Sequence, residues 1–123
     1  MDNISSIQTA YPHIAPEEAM HVMNLLQFDS YGFLVNPKQW SVKIALAIAE
    51  DEGIVPLTPG HWVVVRYLRD RYLRLGAIPP LRNLCRGNGL TREEFKELFG
   101  SCYQAWRIAG LPDPGEDVRN HMR

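Results

Sequence analysis

Residues 57–75 read LTPGHWVVVRYLRDRYLRL, and the way this stretch folds decides the rest. Thr58 is placed to cap a helix, because its hydroxyl can accept a bond from an otherwise unpaired first-turn amide. Pro59 suits the first helical position, where no donor is needed. From Trp62 the apolar residues Val65, Leu68, Tyr72 and Leu75 recur along one face. Arg66, Asp70 and Arg74 fall four apart on another face, the acid moderating the repulsion between the two bases. The spacing predicts a helix of roughly four turns with one buried side and one basic stripe.

The chain of 123 residues suits one domain with its own core, and its 46% hydrophobic content fits a folded globular protein. No apolar run approaches the roughly 20 residues a membrane span needs. The opening MDNISSIQTAYPH shows neither the basic nor the apolar region of a secretion signal. With only Cys85 and Cys102, a reducing compartment is expected, and the cytoplasm with it. The net charge of −1 hides an asymmetry: residues 1–60 carry two bases and seven acids, residues 61–107 nine bases and four acids. A basic middle is compatible with an anionic partner, and equally with a solvated helix face.

On either side of the anchor stretch the chain divides readily. Residues 1–14 lack a period and are expected as a loose N-terminal arm. Pro16, Glu17 and Glu18 resemble a helix start. The run AMHVMNLLQF that follows can be helix or strand, and the expectation taken is a hairpin pairing 22–28 with 33–35 about the turn at 29–32. Ser41 can cap a helix over VKIALAIAEDE that stops at Gly53, with Ile44, Ala45, Ile48 and Ala49 inward. Gly76 closes the anchor helix, and PPLRNLCRG is a shorter helix with Leu81, Leu84 and Cys85 inward. Thr91 and Glu94 form a capping box for TREEFKELF, whose Phe95, Leu98 and Phe99 are spaced for burial. A last helix, roughly 101–109, stops at Gly110. The tail LPDPGEDVRNHMR, with its two prolines, is expected as an extended arm whose removal leaves the helical fold intact.

The fold class expected is therefore α+β, mainly α. A small N-terminal β-hairpin or meander packs on about five helices that include a helix-turn-helix-like array, and the C-terminal arm extends from them. The domain boundaries expected are 1–14, 15–111 and 112–123.

Chemistry is sparse. The four histidines and two cysteines show no paired ligand spacing, so neither a metal nor another cofactor is expected. His61 falls in the first turn of the anchor helix, where it can help to cap it. Cys85 reads as a core thiol. Cys102 follows Gly100 and Ser101 at a helix start, where amide donors would favour thiolate, and it is the candidate reactive thiol. Arg66, Arg69, Arg74, Arg82, Arg86, Arg92 and Lys96 could bind anions, so a DNA-binding regulator is one alternative reading.

Several motifs occur in order: Asp29 with Gly32-Phe33-Leu34, Trp40, Glu52-Gly53-Ile54, LTPGHWVVVRYLRDRY, Pro80-Leu81-Arg82, Gln104-Ala105, and residues 108–114, IAGLPDP. In these the sequence resembles the DsrC/TusE family of sulfur-relay proteins, which includes the gamma-subunit-type proteins of dissimilatory sulfite reductase. The likeness runs over about residues 22–118. It implies a short meander sheet against helices, with a flexible C-terminal arm. It also implies a cysteine next to last in that arm, which carries persulfide or pairs with a second cysteine just before the IAGLP motif. The partners implied are sulfur-transfer or sulfite-reductase-type proteins, in sulfur metabolism or tRNA thiolation.

The sequence departs from that pattern where the chemistry lies. The arm position holds Asp117 and the second position holds Trp106. Persulfide chemistry needs a thiolate, which aspartate cannot supply. The expectation is thus a non-catalytic relay or accessory protein that meets a protein partner through Leu111, Pro112, Asp113, Pro114 and Asp117. Sulfur carriage on Cys102 is the other alternative, and no membrane is involved.

Overall fold

The computed structural model describes residues 13–122. In chain order its elements are helix α1 (Pro16–Asn24), a 3-10 turn (Pro37–Gln39), α2 (Val42–Glu52), α3 (Pro59–Leu75), α4 (Leu81–Gly87), α5 (Arg92–Phe99), α6 (Cys102–Ile108) and α7 (Glu116–Asn120). The anchor stretch is α3, the longest helix described. It buries Val64, Val65 and Leu68 and half-buries Trp62 and Tyr72. Leu75, expected on the same face, is 67% exposed and Leu73 is 60% exposed, because the last turn projects past the helices that pack on α3. Both α2 and α3 pack on α6, and α4 and α5 close against α3. Leu68 sits in the middle of this core at 1% exposure. Truncating it to alanine is expected to cost about 2–5 kcal/mol, read from the denaturation midpoint. An unchanged midpoint would mean that the buried face of α3 is assigned wrongly.

The capping signals operate as local chemistry dictates. The Ser41 hydroxyl accepts from the Ile44 amide at 3.3 Å, and Gly53 takes the left-handed conformation that ends α2. Thr91 and Glu94 exchange hydrogen bonds across the first turn of α5. His61 does more than cap. Its Nδ1 accepts from the Thr58 amide at 3.0 Å, and its Nε2 lies 2.7 Å from the Leu98 carbonyl, so the ring ties α3 to α5. That pattern is met by the neutral tautomer with the proton on Nε2.

Burial pushes the His61 imidazole below its ordinary 6.5, and the Leu98 carbonyl bond only partly opposes this. A lowered folded-state pKa means the unfolded chain takes up the proton first. Stability is then full above about pH 6.5 and declines as pH falls from there through the lowered folded value. Denaturation midpoints across this range should fall for the parent and fall less for His61→Gln, which retains a capping-box side chain. Parallel declines would remove His61 as the cause.

Two expectations for the fold need correction. Among the described residues there is no sheet: the hairpin reduces to one antiparallel bridge, Phe28 with Leu34. Residues 22–24 instead continue α1, because Ala19, Val22 and Met23 share a helical face that packs on Ala47 and Leu46 of α2. What remains is a tight loop in which the Asp29 carboxylate accepts from the Tyr31 and Phe33 amides at 2.9 and 3.0 Å. It presents Phe33 and Leu34 to the core, both fully buried. The chain also has seven helices among the described residues where about five were expected, α1 and α7 being the additions. The N-terminal arm expected at 1–14 lies outside the described residues, apart from exposed His13 and buried Ile14.

Candidate functional site

The tail is the segment on which the sequence concentrated its expectations. Leu111 is fully buried, and the Trp106 indole donates to the Pro112 carbonyl at 2.7 Å, so the chain leaves α6 pinned to it. Trp106 is itself 1% exposed and meets the Tyr72 ring edge-on at 5.8 Å. Gly110 makes this exit possible. Its φ of 68° is left-handed, and a Cβ there would lie 2.0 Å from the Trp40 ring. Trp40 in turn donates to the Ile108 carbonyl at 2.9 Å.

Beyond Pro114 the chain does not extend as expected. It forms the short helix α7, turns back, and buries Met122 to 3% exposure. The Met122 carbonyl accepts from the Tyr103 amide at 3.3 Å. Arg119 holds the fold-back: it binds both oxygens of Asp113, at 2.6 and 2.8 Å, and lies 3.7 Å from the centroid of the Tyr31 ring. The Gly115 amide and the Arg119 guanidinium hold the Asp113 carboxyl below its usual range. The chain folds back because this buries Met122 and partly buries Val118 against the core, a gain that an extended arm would forgo. Asp117 stays outside all of this. It is exposed on the first turn of α7, and only its carbonyl is engaged, by His121 Nδ1 at 2.7 Å.

One residue that positions the site escaped the sequence reading. Arg107, 8% exposed, donates to the Gly32 carbonyl at 2.7 Å and pairs with Glu52, with Asp51 at 3.5 Å. It locks the loop at 29–34 to α2 and α6, and Tyr103 donates its hydroxyl to the Tyr31 carbonyl alongside. The loop therefore offers the Tyr31 ring to Arg119. A base preceding a buried Ile-Ala-Gly run was the available signal.

Of the two thiols, Cys102 departs from expectation. Cys85 is buried and Cys102 half-buried, and both are free. Cys102 is the first residue of α6, yet its thiol pKa is raised: burial dominates, Cys85 adds to it, and Arg92 only partly opposes. A seven-residue helix offers too little to offset loss of water. Cys102 sits in the wall of a cleft of about 510 Å³, which Val118, His121 and Met122 of the tail also line.

The six arginines and Lys96 named as anion ligands do not all face one surface. Arg69 turns inward, donating to the Ala109 and Pro37 carbonyls at 2.8 and 3.2 Å, with its guanidinium 4.3 Å from the Trp40 ring centroid. That corrects its assignment: it is a structural clamp on the exit from α6. Arg74 pairs with Asp70 at 3.0 Å, whereas Arg66, Arg82 and Arg86 are exposed. Among the described residues no group of three or more His, Cys, Asp or Glu could hold a metal ion, and no helix is long and apolar enough to cross a membrane.

The helical fold of this chain has counterparts among solved structures. It superimposes on the oxidized gamma-subunit of dissimilatory sulfite reductase (DsrC) from Archaeoglobus fulgidus with a TM-score of 0.66 and 34% identity, over 74% of this chain and 90% of that one. It matches a chain of dissimilatory sulfite reductase I (DsrI) with a TM-score of 0.69 and 29% identity, over 74% of this chain and 89% of that one. Sulfurtransferase TusE of Escherichia coli (strain K12) is 40% identical over 99 residues, 72% of this chain and 89% of the relative. A family model described as DsrC like protein matches residues 22–118. The chain belongs to the DsrC-like family.

Proposed function

We propose that this chain is a sulfur-relay protein that acts by protein contact and carries no persulfide on its tail. The observation that carries this reading is Asp117. Counting onward from residues 108–111, the arm cysteine that the resemblance implies would fall at this position, and the carboxylate there is exposed and cannot form a sulfur–sulfur bond. The frame around it holds the tail through the IAGLP exit, the Trp40 contact and the Arg107 lock. A carrier whose thiol is removed while its docking frame persists is suited to occupy or modulate a carrier's partner.

The partners are sulfur-transfer or sulfite-reductase-type proteins, met by the tail face at Leu111–Asp117. Pro112, Asp113 and Pro114 shape its approach, with buried Leu111 as its root. Residues 15–111 serve as one domain and 112–123 as the partner-facing tail, in the cytoplasm and without a cofactor. This role is non-catalytic. The regulator reading is weaker, because Arg69 and Arg74 are spent inside the protein and on Asp70. The carrier reading through Cys102 is weaker too, because its raised pKa lowers the thiolate fraction.

The test is incubation with a persulfide donor and intact-mass analysis. No stable addition of one sulfur atom is expected on the parent chain. A stoichiometric addition lost in Cys102→Ser would establish the relocated thiol and sink this reading.

A further inference from the structure

A second cleft, of about 490 Å³, opens beside the one at Cys102, bordered by Tyr67, Arg71 and Arg86. Ile78, Pro79 and Pro80, the link between α3 and α4, belong to the walls of both, so the two clefts join into one groove across that link. Its charge is one-sided. The lysine and arginine side chains lining it are Arg71 and Arg86 on one half and Arg92 and Lys96 on the other. No aspartate or glutamate lines either half. Among the described residues none of these four cations makes an ion pair, in contrast to Arg74, Arg107 and Arg119. Between the two charged rims the groove is mainly apolar.

We propose that this groove docks an extended acidic segment of a partner protein, with the segment's apolar side chains on Ile78, Pro79 and Pro80 and its carboxylates toward the four cations. Meeting an incoming carboxylate breaks no internal ion pair of these cations, Arg71 keeping its place over the Tyr67 ring, and the like-charge repulsion among them is relieved. The two prolines present no amide donors, so the link between the clefts recognises side chains by shape. That favours peptide over nucleic acid: a sugar–phosphate backbone gains from the cations but not from a concave apolar wall. The surface borders the tail through Val118, His121 and Met122, but its four cations all lie outside the tail. It rests on the proposed contact role only in being a second site for protein, and its test involves no sulfur chemistry.

Fluorescence anisotropy of a fluorescein-labelled peptide of repeating Leu-Glu-Asp units on the intact protein is the experiment. Saturable binding that weakens with added salt is expected, with no competition from a peptide of repeating Leu-Lys-Lys units. The paired reversals Arg71→Glu with Arg86→Glu, and Arg92→Glu with Lys96→Glu, should each weaken binding about tenfold or more. Arg66→Glu, outside the groove, should leave it unchanged. Glutamine at the same paired sites should give an intermediate loss, and it replaces any reversal that lowers the denaturation midpoint. Absence of peptide binding, binding indifferent to both pairs, or tighter binding of a polythymidine strand than of the peptide would each overturn the proposal.

Discussion

Asp117→Cys is expected to take up one sulfur atom per chain from a persulfide donor, where the parent takes up none on its tail. The argument is chemical. A thiolate at this position attacks the outer sulfur of the donor, a new sulfur–sulfur bond forms, and the donor leaves as its own thiolate. A carboxylate has no counterpart to that bond. The position is accessible without unfolding anything, because Asp117 is exposed and its side chain is not among the contacts that hold α7. Those contacts run through Asp113, Arg119 and Met122 and survive the substitution. Intact-mass analysis in a Cys102→Ser background isolates the new thiol. Uptake close to one sulfur is the expected result. Failure of the variant to load, while free cysteine-containing peptide loads in the same mixture, would show that the tail no longer presents this position to sulfur donors.

Trp106→Ala is expected to be the more damaging change to the fold, at about 3–5 kcal/mol. Native domains are stable by only about 5–15 kcal/mol, so this approaches loss of the folded state. Three contributions act together. The indole is 1% exposed, its ring meets Tyr72, and its Nε1 bond secures the Pro112 carbonyl. Removing it opens a cavity at the junction of α3 and α6 and frees the root of the tail. Denaturant unfolding measures the loss directly, and a midpoint within error of the parent would contradict the packing described. Deleting residues 112–123 should move stability in the same direction. That reverses the expectation of an intact fold, because the deletion strips the Pro112 acceptor from Trp106 and Met122 from the core. A contact-deficient tail is therefore better made by Arg119→Ala than by truncation.

Much of the frame was legible because it is written in local terms. The Ser41, Thr58 and Thr91 caps and the Gly53 and Gly76 stops each depend on residues within one turn of one another. Apolar spacing placed Val65, Leu68, Phe95 and Phe99 inward for the same reason. The misreading at 22–28 arose where a short apolar run fits either period. What settled it was a neighbour far along the chain, the Ala47 face of α2. The candidate site was legible as positions and not as geometry: motif order located Asp117 and Trp106 without saying which was accessible.

The sequence by itself determined the central helices and which residues stand at the two motif positions, Trp106 and Asp117, since capping, periodicity and residue identity need no knowledge of distant neighbours. Only the tertiary structure decided what the ambiguous side chains do. Arg69 and Arg107 became internal clamps because backbone carbonyls left at the ends of other elements needed donors. Burial that no local pattern records pushes the Cys102 thiol pKa up. The tail folded back because Met122 finds an apolar seat formed by residues remote from it in the chain, and such seats exist only after the helices have packed.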